Sequence, residues 1–251
     1  YALSAIFSTG FRYLGAHMDD STASQVYNNV PEQDISTLAV DQTAGIIPVF
    51  QNSIIKAVFF STSCGSTANH EDVWEDKDTH TFPGQSIPYL VHSMQGIKGS
   101  FRLDENSSFH QFITTCYDDA FDVGSPFFRW KVKWKKDELE ACLRENLPRL
   151  QKQQRNFIFS IDENNHPIPS VIAPSKIGDI LDVHVVKRGE GGNIMVLDVV
   201  CSTGRYRIMK ELNIRNIFAP KQYLDGEKEI ELLLHDGSII KDFPLLPSAF
   251  V

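Results

Sequence analysis

Short apolar runs separated by turn residues dominate the second half of the chain. Five runs rich in β-branched or aromatic residues predict strands, at 180–187, 194–201, 206–209, 229–234 and 238–243. The turns at 189–193 and 235–237 both contain glycine and join neighbouring runs, as in antiparallel hairpins. A short helix is expected at 209–214, after the third run. This half of the chain therefore predicts a largely antiparallel sheet.

Upstream of these strands, residues 127–134 alternate between apolar and basic side chains. The apolar side chains fall on one face and the basic ones on the other: Phe128, Trp130, Val132 and Trp134 against Arg129, Lys131 and Lys133. This alternation predicts a half-buried strand. Asp137 is suited to be the N-cap of a following helix. We expect this helix to end at Pro148.

The first half of the chain has shorter and weaker patterns. Residues 1–8 have the pattern of the end of a helix. Apolar spacing at 31–44 predicts a short helix, with Gly45 directly after it. Residues 46–50 and 54–60 predict a hairpin through the polar turn between them.

The pattern is weakest between residues 75 and 124, which are rich in polar residues, glycine and proline. Within this region a helix is expected around 107–116 and an extended stretch at 87–91. Residues 95–124 and 151–174 are interpreted as insertions in the domain.

Length and composition are those of an ordinary globular protein, with 251 residues, 42% of them hydrophobic and 22% charged. Together with the patterns above they predict a single elaborated α+β domain, with a mixed, largely antiparallel sheet and packed helices. The formal net charge of −8 argues against nucleic acid as a partner, because such binding needs clustered Lys and Arg. No apolar run reaches the roughly 18 residues of a membrane span, so we expect no transmembrane segment in this chain.

Four cysteines lie far apart, at Cys64, Cys116, Cys142 and Cys201. Their spacing shows no C-x-x-C or Cys/His pattern, so neither a zinc site nor a dense disulfide framework is indicated. Free buried thiols are the default interpretation, and one or two disulfides remain open if the protein is exported.

The stretch 57–74 changes abruptly from apolar to small polar residues. Residues 57–60 predict the end of a strand, and residues 61–67 are mostly Ser and Thr around Gly65. Trp74 closes the stretch. This composition is typical of a concave polar site with an aromatic wall. An ordinary loop between two elements has the same composition, so the stretch alone does not decide between them.

Nucleophilic catalysis has only weak candidates here. A nucleophile at Ser61 or Ser63 needs a histidine and an acid around it, and His70 is the nearest histidine in sequence. Cys64 is a further candidate, although a lone cysteine more often acts as a small buried apolar residue.

Acid catalysis and sugar stacking have better candidates. The pair Glu71 and Asp72 can supply a general acid, although adjacent carboxylates on a loop are more often solvated or cap a helix. Four aromatic residues have faces suited to sugar rings: Trp74, Tyr89, Trp130 and Trp134. Core packing already explains the last two.

Several short motifs also follow one another in a recognisable order: Tyr1-Ala2-Leu3, Gln25-Val26-Tyr27, Asp41 to Gly45, and residues 57–74, 87–90, 125–130, 180–218 and 246–250. In wording and order they resemble the sporulation stage II protein D and LytB amidase-enhancer family. In that family a strand leads into an S-x-S-G-G-x-T loop, and D-V-W, V-P-Y-L, a W/HRW-type strand and L-P-S-x-x-F follow. The resemblance covers most of the chain, and several ordered motifs are more specific than any one of them.

The resemblance implies action on the glycan strands of bacterial peptidoglycan, outside the cytoplasm, in cell-wall remodelling or sporulation. Sporulation members are lytic transglycosylases, in which one glutamate acts first as acid and then as base. In the family that glutamate lies upstream of an R-T-Y-A-L helix, so we expect it before Tyr1. The family's glycine- and histidine-rich motif after L-P-S-x-x-F is also missing, so we expect the domain to be truncated at both ends.

The resemblance also implies a glycan cleft, whose expected substrate-binding residues are Tyr1, Ser61, Ser63, Thr67 and Tyr89. Cys64 and Ala68 depart from the family, which has a glycine and usually a glutamate there. Some members bind zinc through a His/Cys cluster before Q-V-Y. This chain has Ser21 to Ser24 in that place, so no metal and no other cofactor is predicted.

Two alternatives remain open. The chain can be a non-catalytic module that binds the wall or activates a partner amidase or other cell-wall hydrolase. It can also be a carbohydrate-binding domain unrelated to this family. A glutamate in the upstream helix distinguishes the enzyme from the module.

Overall fold

The computed structural model describes residue 15 and residues 29–220, 230–241 and 243–249. The chain divides into two compact units, Tyr1–Ser61 and Thr62–Val251. Each unit is described by itself below. The predicted helix end at residues 1–8 and the candidate site residue Tyr1 lie outside the described residues.

The described part of the first unit holds one helix and one hairpin. Helix α1 spans Asp34–Gln42, and Gly45 follows with φ 75°, so the predicted helix and its glycine are confirmed. Strands β1 (Val49–Phe50) and β2 (Ser53–Ile54) confirm the hairpin. The predicted strand at 54–60 is wrong beyond Ile54. Ile55 N still donates to Pro48 O at 3.3 Å, but Pro48 has no backbone N–H to donate in return, so the ladder ends there.

The second unit is built on a five-stranded antiparallel sheet with the strand order β5-β4-β8-β7-β6. Its strands are β4 (Ile158–Ile161), β5 (Pro167–Ile168), β6 (Ile180–Arg188), β7 (Ile194–Cys201) and β8 (Gly204–Met209). The three strands predicted at 180–209 are confirmed. Strands β4 and β5 belong to the segment 151–174, and β4 pairs with β8 through Ile158 and Ile208, so this segment is part of the sheet.

A smaller antiparallel sheet has the order β10-β9-β3. It consists of β3 (Trp130–Val132), β9 (Glu231–Leu234) and β10 (Ile239–Lys241). The predicted hairpin around 235–237 is confirmed, and so is the alternation of half-buried and exposed residues along β3. β3 is shorter than predicted because Phe127 and Phe128 lie in a 3₁₀ turn, Pro126–Phe128.

Three helices pack with these sheets: α2 (Asn106–Thr114), α3 (Lys136–Gln153) and α4 (Glu211–Ile217). The predicted end of α3 at Pro148 is wrong, because the helix continues through this proline. Proline removes one backbone hydrogen bond from a helix interior, at a cost of roughly 3 kcal/mol. Leu147, Pro148 and Leu150 are all buried, and their burial offsets that cost.

Two hydrophobic clusters form the core of the second unit. The larger lies between helices α3 and α4 and the five-stranded sheet, and its fully buried members include Leu143, Leu147, Ile158, Ile208 and Ile214. The smaller surrounds α2 and contains Ile97, Leu103, Phe109, Phe112, Ala120 and Phe128. With four described helices and mostly antiparallel sheets, the mixed α+β class is confirmed.

The structure also bears on the cysteines and on membrane crossing. All four cysteines are free thiols, so no disulfide links them. None of the helices in the described part of the chain combines the length and apolar character that a membrane crossing requires.

Asn146 joins α3 to the end of α4 and gives a test of this packing. Its side chain is 0% exposed and donates to the carbonyls of Ile217 and Ala219, both at 3.1 Å. Asn146→Ala leaves both buried acceptors without this donor, so we expect the free energy of unfolding to fall by about 2–4 kcal/mol. Urea unfolding followed by circular dichroism measures the change.

The exposed Asn164→Ala is the control, for which we expect a change under about 0.5 kcal/mol. An equally small change for Asn146→Ala would contradict the role of this side chain.

Candidate functional site

Three segments that are distant in sequence meet beside helix α2: residues 62–74, 87–95 and 122–130, called here the loop cluster. Backbone hydrogen bonds join the first two, from Thr67 N to Ser93 O at 3.0 Å and from His70 N to Leu90 O at 2.9 Å. The third is joined to the first by a 2.6 Å hydrogen bond between the hydroxyls of Thr62 and Ser125. The loop cluster therefore gathers most of the polar motifs that the sequence singles out.

A tight turn lies at the centre of the first segment. Ser66 N donates to Ser63 O at 3.2 Å, and the two central residues, Cys64 and Gly65, have φ values of 58° and 92°. Positive φ at both central residues is the geometry of a type I′ turn. A side chain at Gly65 would also displace Ile97, since a Cβ there would lie 2.4 Å from Ile97 Cδ1. The turn thus requires glycine at 65 and imposes an unusual conformation on Cys64.

The Cys64 side chain is buried, and burial raises the pKa of its thiol to about 11. Its Sγ lies 3.8 Å from the carbonyl oxygen of Phe127. A protonated buried thiol is a poor nucleophile. The geometry therefore favours the interpretation of Cys64 as a small core residue over that of a catalytic nucleophile.

Arg129 holds the turn in place from the third segment. Its Nη1 donates to the carbonyls of Cys64 at 2.9 Å and Phe128 at 2.8 Å, and its Nη2 donates to those of Phe112 at 3.3 Å and Thr115 at 3.1 Å. Phe112 O belongs to the last turn of α2, where it also accepts from Thr115 N at 3.3 Å and where a positive charge is favourable. One guanidinium thus fastens the end of a helix to the turn at Cys64.

The surroundings of Arg129 are largely apolar. Its guanidinium carbon lies 4.2 Å from the ring centre of Phe128 and 5.3 Å from that of Phe112. Burial lowers the pKa of Arg129, because a charged group loses hydration there. The carbonyl dipoles and the two ring faces replace part of that hydration.

Thr67 and His92 fasten the second segment. Thr67 Oγ1 accepts from Ser93 N at 2.9 Å, and His92 Nδ1 donates to Thr67 O at 2.8 Å. Because a carbonyl oxygen can only accept, the proton of the neutral His92 ring lies on Nδ1. The Ser66 hydroxyl donates to Gly191 O at 3.1 Å, so both hydroxyls of this part of the loop bond within the protein.

The turn between β6 and β7 packs against the loop cluster. Asn69 Nδ2 donates to Asp72 Oδ2 and to Glu190 Oε2, both at 3.1 Å, and Asn193 Nδ2 donates to Asp72 O at 3.0 Å. A Cβ at Gly191 would lie 2.1 Å from Thr67 O, so glycine is needed for this close approach. Asp72 is buried within these bonds, which identifies it as a structural carboxylate.

Aromatic residues border the loop cluster. Trp74 is 40% exposed and stacks on His70 with 4.9 Å between ring centres. Tyr89 is half-buried in a turn closed by a 2.9 Å bond from Leu90 N to Ile87 O. The predicted extended stretch at 87–91 is therefore wrong, because Pro88 has the φ that a turn requires at its second position.

The predicted site residues have different surroundings. Ser61 is exposed and belongs to the first unit. Ser63 is 7% exposed; its hydroxyl accepts from Gly65 N at 3.0 Å and its backbone N–H donates to Asp122. Thr67 is half-buried and bonded to Ser93 as above. Ser63 and Thr67 therefore shape the loop through internal hydrogen bonds.

The structure also places the remaining sequence candidates. His70 Nδ1 is bonded to the carbonyl of Gln85 at 3.0 Å, while the Ser63 hydroxyl is bonded to Gly65. Trp130 and Trp134 pack against the larger core cluster, which confirms their interpretation as core residues. Within the described residues no group of three or more His, Cys, Asp and Glu is arranged to hold a metal ion.

Sequence reasoning missed Asn69, His92 and Asn193. Their partners lie up to 121 residues away, so no local pattern marks them. Arg129 belongs to a motif that the sequence does mark. Its hydrogen bond to the turn is not visible in the sequence, because Cys64 lies 65 residues away.

Comparisons of the chain with protein-family models, with curated proteins and with solved structures found no match. The resemblance to the sporulation stage II protein D and LytB family accordingly stays a prediction that rests on the motifs quoted above.

The turn at Cys64 gives a stability test in which the glycine variant is expected to be more stable than the alanine variant. Cys64→Ala and Cys64→Gly both lose the buried sulfur, but only glycine adopts a positive φ without strain. We expect Cys64→Gly to be more stable than Cys64→Ala by about 0.5–1 kcal/mol, as measured by urea unfolding.

The control is the pair Thr114→Ala and Thr114→Gly at an exposed position of α2, where alanine should be the more stable variant. A more stable alanine variant at Cys64 as well would contradict the strained turn.

Proposed function

We propose that this chain binds the glycan strands of bacterial peptidoglycan through the loop cluster, in an extracytoplasmic setting. The observation that carries the proposal is the meeting of the family-like motifs. The T-S-C-G-S-T, D-V-W, P-Y-L and F-R-W segments are spread over residues 62–130, and hydrogen bonds bring them together beside α2. Motifs that only stabilise separate elements are not expected to lie next to one another in the fold.

The chemistry of the loop cluster suits a neutral polar ligand. An exposed indole at Trp74 offers an apolar face to the C–H groups of a sugar ring. The half-buried Tyr89 provides a second aromatic group with a hydroxyl. Backbone hydrogen bonds join the segments 62–74 and 87–95 that carry these two side chains, so little conformational entropy is lost when a ligand binds.

Cleavage is a separate part of the proposal. Two carboxylates of the loop cluster are already engaged, Asp72 by Asn69 and Asp122 by the backbone of Ser63. These two carboxylates are therefore not assigned as the catalytic acid, and the half-buried Glu71 is the remaining carboxylate of the loop cluster. Lytic transglycosylase activity would require the glutamate that the family carries upstream of Tyr1.

A non-catalytic wall-binding or amidase-enhancing module is the second candidate. The engagement of Asp72 and Asp122 favours it, because a general acid needs a carboxyl group free to reach the leaving oxygen. Incubation of the full-length gene product with glycan strands stripped of stem peptides, followed by mass spectrometry, separates the two candidates. Anhydro-muramic ends support the enzyme, and bound but intact strands support the module.

Trp74 gives the test of the binding surface. Trp74→Ala removes the exposed ring face, so we expect it to weaken binding of stripped glycan strands by about tenfold, or about 1.4 kcal/mol. Co-sedimentation or calorimetric titration measures the dissociation constant.

Leu181→Ala is the matched control, because Leu181 is 65% exposed and lies seven residues from the loop-cluster end of β6, roughly 23 Å along the strand. We expect its affinity to equal that of the wild type. Unchanged binding by Trp74→Ala, or a wild-type chain that does not bind, would contradict the proposed surface.

A further inference from the structure

An exposed cysteine and an exposed histidine meet at one side of the smaller sheet. Cys116 follows helix α2, and His235 lies in the turn between β9 and β10. Cys116 Sγ and His235 Nε2 are 3.9 Å apart, although 119 residues separate them in sequence. The pair is open to solvent, so a small reagent can reach the sulfur.

Rigid parts of the fold hold both residues. The carbonyl of Thr115, next to Cys116, accepts from Arg129 Nη2 at 3.1 Å. His235 N donates to Pro126 O at 2.9 Å, and the imidazole packs edge-on against the fully buried Phe128 ring with 5.5 Å between centres. The approach of sulfur to imidazole is therefore set by the same residues that organise the loop cluster.

The pair has the groups that thiol chemistry needs. The reactive form of cysteine is the thiolate, and a neutral imidazole nitrogen within reach can accept the thiol proton. Cys116 and His235 therefore combine an accessible sulfur with a ring nitrogen 3.9 Å away.

The other three cysteines differ from Cys116 in every respect that matters for reactivity. All three are buried. Burial raises the pKa of the thiols to about 11 for Cys64, about 12 for Cys142 and about 11 for Cys201. They are internal controls for any thiol reagent, because they belong to the same chain but lack the solvent exposure of Cys116 and its neighbouring histidine.

We propose that Cys116 is a thiol-modification site that exchanges with low-molecular-weight disulfides, with His235 as the proton acceptor. His235 Nε2 takes the proton from Cys116 Sγ, and the sulfur attacks one sulfur of the disulfide. The disulfide bond of the reagent breaks as the new S–S bond forms. The departing thiolate takes a proton from the imidazolium, so one half of the reagent is reduced to a thiol while Cys116 is oxidised to a mixed disulfide.

The test is the reaction of the folded chain with excess dithiobis-nitrobenzoate, an aromatic disulfide whose released thiolate is coloured. We expect one fast equivalent of released thiolate per chain, abolished by Cys116→Ser, and a mixed disulfide located at Cys116 by peptide mass spectrometry. Fast release that persists in Cys116→Ser, or labelling of a buried cysteine first, would overturn the proposal.

His235→Gln tests the proton acceptor. At neutral pH we expect at least about a tenfold lower rate constant than for the wild type, since general-base assistance is lost. About one unit above the ordinary thiol pKa of roughly 8.5 the two rates should converge, because the thiol then ionises without help. A merely structural histidine would lower the rate at both pH values, and that result would contradict the assignment, as would an unchanged rate at neutral pH.

His166→Gln is the matched control, because His166 is exposed and lies beside a carboxylate, with 3.5 Å between its Nδ1 and Asp162 Oδ2. We expect its rate to equal that of the wild type. A loss of rate in this control equal to that of His235→Gln would contradict a specific role of His235.

Discussion

The organisation of the second unit around α2 depends on one half-buried cation. The Arg129 guanidinium donates four hydrogen bonds to carbonyl groups of Cys64, Phe112, Thr115 and Phe128. Hydrogen bonds to a charged group contribute roughly 1.5–3 kcal/mol each, against several kcal/mol for the desolvation of the cation. The balance favours the folded state because carbonyl dipoles and ring faces surround the charge. A lysine has one compact ammonium group and cannot match this planar arrangement of donors.

This constraint explains why a loop of small residues is ordered. The turn at Cys64 and Gly65 has an unusual backbone conformation, and its two central residues are small. Its stability comes from outside, through Arg129 on one side and the β6–β7 turn at Gly191 on the other. A loop held at both ends presents fixed backbone groups and leaves Trp74 at its border. That arrangement is favourable for ligand binding, since the ordering cost is met during folding.

The elements that sequence predicts correctly are those with a strong local pattern. Strands β6, β7 and β8 are encoded by apolar runs and glycine turns, and each lies within a few residues of its predicted bounds. The errors have identifiable physical causes. Pro48 limits the first hairpin, and tertiary burial carries α3 through Pro148.

The candidate site was only partly accessible from sequence. Its composition and its order among other motifs mark the loop at 61–67 in the sequence. The hydrogen bonds of Ser63 and Thr67 within the protein are not marked there, because Gly65 and Ser93 become their partners only after folding. The same holds for Asn69, whose amide donates to Asp72 and also to Glu190, which lies 121 residues further along the sequence. Local composition therefore marks the segment, and long-range contacts determine which of its groups can face a ligand.

The loop cluster is the proposed glycan-facing surface of this chain. Hydrogen–deuterium exchange of the backbone amides, with and without stripped glycan strands, tests it without any substitution. We expect slower exchange in peptides that cover 62–74 and 87–95 when glycan is present, and unchanged exchange in those that cover 180–187. Protection confined to other segments, with none in the loop cluster, would contradict it.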